Sequence, residues 1–164
     1  MYRFIKKFLP VLFICIGIYL FIFAIYASSF YLTSYMIKQQ SLDIKEHSVG
    51  DMNYTKNVKL WVYKNVKYVS KPGSEISPPE LTYIVREGDC TEYSLLMTRM
   101  LNDGGIVAHP IYGSSGVGSM HESVEYTIDG VTRRIDSKEL PSFKKHGDGL
   151  APTEYVYDVF WFLK

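Results

Sequence analysis

Paired cysteines are missing from this chain. Among 164 residues only Cys15 and Cys90 carry thiols. Cys15 lies inside an apolar N-terminal run, so no disulfide framework is available. Cys90 is then the one thiol of the polar remainder, either buried and inert or reactive. An excess of charge is missing too. The 18 basic and 17 acidic residues leave a net charge of +1. A nucleic-acid partner, which needs a concentrated basic face, is therefore not expected. Internal repeats and low-complexity tracts are absent. The glycine-rich stretch Gly113 to Gly118 lacks the following Lys-Ser/Thr of a phosphate loop. The length suits one folded domain with an anchor, and the 14 tyrosines suit a β-containing core with wet edges.

Charge is absent altogether from Phe8 to Ile37. The most apolar part, Phe8 to Ala27, has about 20 residues, enough to span a bilayer as a helix. Pro10 is expected in its first turn, where a missing N–H costs little. Arg3, Lys6 and Lys7 precede the run, and no basic residue follows until Lys38. The positive-inside rule then puts the N-terminus in the cytoplasm and the rest outside. A cleaved signal peptide ending near Ala27-Ser28-Ser29 is the alternative. The run exceeds the roughly 7–15 residues of a signal core, which favours the anchor. The expected organisation is a basic cytoplasmic tail (1–7), a transmembrane anchor (8–30), a polar linker (31–53) and a folded domain (54–164).

Within the domain, Val58, Trp61, Val62, Val66 and Val69 recur at helical spacing from Tyr54 to Val69. Lys71-Pro72-Gly73-Ser74 breaks the pattern. Pro78-Pro79-Glu80 opens a short helix through Val85. Asp89 can cap the next helix, with Glu92 three residues later completing a capping box. Tyr93, Leu96, Met97, Met100 and Leu101 form its buried stripe, and Asp103-Gly104-Gly105 ends it. Ile106 to Tyr112 reads as a strand interrupted by Pro110. Met120 to Ile128 and Val131 to Asp136 flank Asp129-Gly130, a type I′ hairpin signal. Pairing outward sets Ile128 against Val131, Thr127 against Thr132, Glu125 against Arg134, Val124 against Ile135 and Ser123 against Asp136. Tyr155 to Leu163 reads as a last, buried strand.

That register makes His121 and Asp136 diagonal neighbours, with Cα atoms roughly 7–8 Å apart. The carboxylate can fix the imidazole tautomer and support an imidazolium. Cys90 falls at the first position of its helix, where the helix end favours a thiolate and its backbone N–H can help form an oxyanion hole. Asp89 works slightly against the thiolate. Each of the three residues alone is more often structural. Together, in this order, they read as nucleophile, base and orienting acid. His109 has no local partner in sequence and reads as structural, and His47 and His146 as solvated. A zinc site from Cys90, His109, His121 and Asp136 matches no compact metal spacing.

Gly88-Asp89-Cys90, the helix with Leu95-Leu96, Gly105-Ile106-Val107-Ala108, His121-Glu122-Ser123-Val124-Glu125 and Ile135-Asp136 resemble, in that order, the core of the transglutaminase-like family. Trp61-Val62 and Val66-Lys67-Tyr68 resemble its preceding helix. The similarity spans about residues 55–137. The resemblance implies an α+β, papain-like core in which a Cys-bearing helix packs on an antiparallel sheet, here behind a transmembrane helix. It implies Cys90, His121 and Asp136 as a triad cleaving amide bonds of a peptide or protein through an acyl-enzyme, with hydrolysis favoured over crosslinking. No cofactor or metal is implied, since no acidic cluster resembles the family's calcium sites. Ser123 stands where the family often has an aromatic residue, and the loop before His121 is short. The alternative is the same fold kept as an inactive, membrane-tethered binding or assembly module.

Overall fold

A computed structural model describes the backbone of residues 2–70, 76–114 and 120–136, and within these the side chains of 11–70, 76–111 and 122–136. The chain divides into two compact units, residues 1–36 and 37–164. The first helix, α1, covers Tyr2–Glu46. Its apolar part is long enough to cross a membrane. Two of its hydroxyls bond within the helix: Ser29 Oγ donates to the Ile25 carbonyl and Thr33 Oγ1 to the Ser29 carbonyl, each at 2.9 Å. This back-bonding removes the penalty of a bare hydroxyl in an apolar setting. Pro10 is not in the first turn, because the helix begins at Tyr2 and continues through it.

The second unit begins inside the stretch that reads as a linker. Residues 37–46 are helical, and Ile37, Ser41 and Ile44 are buried along one face. Polarity alone misleads here, because the middle residue of the buried stripe is a serine. After α1 come α2 (Asp51–Asn65), β1 (Lys67–Tyr68), α3 (Pro79–Val85), β2 (Glu87–Gly88), α4 (Cys90–Asp103), β3 (Val107–Ser114), β4 (Met120–Ile128) and β5 (Val131–Asp136). Helix α2 stops earlier than the apolar spacing suggests. Val66 still donates its N–H to the Val62 carbonyl but is extended, and Lys67 and Tyr68 pair in parallel with Glu87 and Gly88.

Helix α4 is central. Leu96, Met97, Met100 and Leu101 are fully buried in one cluster with Tyr54, Val58 and Val62 of α2 and Ala108, Val124, Tyr126, Ile128 and Ile135 of the sheet. Each buried Leu, Ile, Val or Met side chain among them contributes about 1.5–3 kcal/mol on leaving water. The antiparallel sheet has the order β3-β4-β5. Its hairpin has the expected register throughout, from Ile128 opposite Val131 to Ser123 opposite Asp136. Asp129 (φ 53°) and Gly130 (φ 73°) both lie in the left-handed region, as a type I′ turn requires. Pro110 does not interrupt β3; it pairs with Val124, and an edge strand tolerates its missing N–H. The expected strand Tyr155 to Leu163, the loop 115–119, the breaker 71–74 and His146 lie outside the described residues.

Candidate active site

The first turn of α4 is built by the chain just before it. Asp89 Oδ1 accepts the Thr91 N–H at 2.8 Å, and Glu92 Oε2 accepts the Asp89 N–H at 2.8 Å, so the capping box is complete. Glu92 Oε1 also accepts the Ser77 N–H at 3.3 Å. This buried carboxylate therefore ties the segment before α3 to the start of α4. Gly88 lets it do so: a Cβ there would lie 2.7 Å from the Glu92 Cβ, closer than side chains pack. One residue on, Tyr93 donates its hydroxyl to the Val66 carbonyl and meets Tyr63 and Tyr68 edge-on, with centroids 5.8 and 5.7 Å away. Burial pushes its phenol up to about 12, which keeps it a donor. Cys90, the first helical residue, is half-buried and is not in a disulfide.

The other end of α4 fixes its direction against the sheet. The Asn102 side chain donates to the Ala108 carbonyl at 2.9 Å and accepts the Ala108 N–H at 3.0 Å. Gly104 and Gly105 (φ 86°) make the turn between them. Strand β3 must then run back along the helix it packs on. Fourteen helical residues rise about 21 Å and eight strand residues about 26 Å, long enough for β3 to return to the level at which α4 begins. At that end of the sheet Ser114 pairs with Met120, Gly113 with His121, and Ser123 with Asp136. His121 is thus located by its backbone in β4, and Asp136, half-buried, is the last residue of β5.

An acid directly precedes Cys90. Burial, and then the neighbouring Glu92 carboxyl, raise the Asp89 carboxyl above its ordinary 3.8. On the sheet, the ion pair expected from register does not form. Glu125 faces Arg134, but its Oε1 lies 3.2 Å from His109 Nε2 on the other neighbouring strand. His109 therefore has a partner, which the sequence did not reveal. Arg134 instead donates Nε to Ser123 Oγ at 2.7 Å. Ser123, expected opposite Asp136, and Glu122, missed as a site neighbour, are both almost fully buried. The one signal for Glu122 was adjacency to His121. Among the described residues no three His, Cys, Asp or Glu side chains form a metal-ligating group.

Residues 39–133 match the model of the transglutaminase-like superfamily. A search of curated proteins finds no match. Among solved structures, the chain is similar to a candidate cysteine protease from Cytophaga hutchinsonii, with 19% identity and a TM-score of 0.59 over 65% of this chain and 38% of that one. It is similar to a candidate protease from Parabacteroides distasonis at 16% identity and a TM-score of 0.55, over 62% of this chain and 23% of that one. A TGase is similar at 15% identity and a TM-score of 0.57, over 76% of this chain and 35% of that one. The chain thus spans well under half the length of these proteins, and the likeness is one of fold.

Proposed function

The chain belongs to the transglutaminase-like superfamily, and we propose that it is a membrane-anchored cysteine enzyme acting on amide bonds of a peptide or protein through Cys90, His121 and Asp136. The observation that supports this reading is a thiol at the capped start of α4, together with a strand register that sets His121 two residues from Ser123, which pairs with Asp136. The helix end favours the thiolate, and an adjacent imidazolium favours it further. The thiolate adds to the amide carbonyl, and the Cys90 backbone N–H helps stabilise the oxyanion. As the C–N bond breaks, His121 gives its proton to the leaving amine, and Asp136 holds the imidazole in the required tautomer. Water, deprotonated by His121, then attacks the thioester, releases the acid and regenerates the thiol. The protease descriptions of two similar structures favour water over an amine as acceptor. Helix α1 would anchor the domain, and Arg3, Lys6 and Lys7 ahead of its apolar part favour a cytoplasmic N-terminus and an extracytoplasmic domain.

The test is mass spectrometry of the full chain in detergent after mixing with peptide and cell-envelope extracts. The reading predicts an acyl adduct on Cys90, absent in Cys90→Ala. Asp136→Asn should slow its formation on the order of 10²–10⁴-fold. A reduced Cys90 that takes no acyl group from any extract would leave the inactive binding module as the better account.

A further inference from the structure

Resting on that assignment of Cys90, His121 and Asp136, we infer that Arg134 is a specificity-determining residue that receives a carboxylate of the substrate beside the reacting amide. Arg134 and Glu125 face each other across β4 and β5, the position from which opposite charges ordinarily pair. The structure diverts both. Glu125 turns to His109 on β3. Arg134 reaches diagonally to Ser123, which stands directly opposite Asp136. The guanidinium is therefore drawn one step along the sheet, toward the end that carries Asp136 and His121. Its anchor is firm, because Ser123 is 1% exposed. Only Nε is used in that bond. The two Nη groups keep the planar fork that matches a carboxylate with two parallel hydrogen bonds. Arg134 is exposed, and among the described residues it forms no ion pair. A fixed, accessible cation next to the proposed base and its orienting acid selects an anionic group on whatever enters.

The test compares two alkylating agents on the full chain in detergent: iodoacetate, which carries a carboxylate, and neutral iodoacetamide. Their rate ratio at Cys90 reads a nearby cation without requiring turnover. Arg134→Gln should lower the iodoacetate-to-iodoacetamide ratio about twofold or more at low salt, as a unit charge roughly 10 Å away in a watery site would. Arg134→Lys should keep most of the ratio, and Arg134→Glu should fall below Arg134→Gln. Added salt should shrink the differences. Protection of Cys90 by peptides then separates the sources of the carboxylate. An internal Glu in an amidated peptide and a free C-terminus on a neutral one are the two arms, and protection by either should weaken in Arg134→Gln. A ratio unchanged across the Arg134 series, with Cys90 still alkylated, overturns the role of Arg134 alone. A Cys90 that neither agent modifies overturns the proposed nucleophile and this inference with it.

Discussion

At its C-terminal end, α4 is fixed mostly by neutral hydrogen bonds; at its N-terminal end, two carboxylates crowd the turn that carries the sulfur. Ser41 Oγ donates to the Met100 carbonyl at 2.6 Å and lies 2.7 Å from the Tyr54 hydroxyl. Lys45 donates to the Gly104 carbonyl. Burial, chiefly, pushes the Tyr54 phenol up to about 12, so this end stays uncharged in the ring over the whole physiological range. At the other end, burial and then the Glu92 carboxyl hold the Asp89 carboxyl above its ordinary 3.8. More of the domain's stability is therefore assigned to the C-terminal end, and the electrostatic setting of the sulfur to the N-terminal end.

Substitutions at each end should separate these roles. The largest effect is expected at Gly104, where a Cβ would lie 2.1 Å from the Tyr54 hydroxyl. Gly104→Ala should destabilise the domain by about 3 kcal/mol in denaturant unfolding, while folded protein keeps its Cys90 alkylation rate. At the other end, Glu92→Gln should cost about 1–2 kcal/mol by weakening two backbone bonds to a buried carboxylate. Unlike the first variant, it should also change the Cys90 alkylation rate.

Asp89→Asn sharpens the comparison further, since Asn caps as well as Asp. Removing the charge should speed Cys90 alkylation at neutral pH about twofold. Its stability effect has a defined sign. The folded chain holds the Asp89 proton more tightly than the unfolded chain, because its carboxyl is raised above 3.8. The contribution of the protonated form is complete below that value and is lost as pH rises through the folded one. The variant lacks this loss. Its stability relative to the wild type should therefore improve as pH climbs from below 3.8 toward neutral, as unfolding curves across that range would show. The smallest effect is expected away from both ends: His109→Gln should change stability by less than about 0.5 kcal/mol, because the His109–Glu125 pair is 54% and 31% exposed.

The same contrast explains what could be read in advance. The capping box and the hairpin register depend on residues within a few positions of each other, so Asp89, Glu92, Asp129-Gly130 and the strand alternation specified them directly. The helical start of the second unit was hidden because its buried stripe includes Ser41, whose partners are 13 and 59 residues away. The choice of His109 over Arg134 by Glu125 requires a third strand that two-strand pairing leaves out. The positions of Cys90, His121 and Asp136 in the helix and hairpin were legible, but the diagonal reach of Arg134 to Ser123 was not, since register alone favours the ion pair.

The central claim is that the sulfur of Cys90 is an imidazole-supported thiolate. The most direct measurement is the rate of Cys90 alkylation by iodoacetamide against pH, for wild type and His121→Ala. The account predicts a wild-type rate already near its plateau at pH 7, which His121→Ala converts to one climbing through about 8.5, the ordinary thiol value. Identical curves for the two proteins, both climbing through that ordinary value, would contradict it.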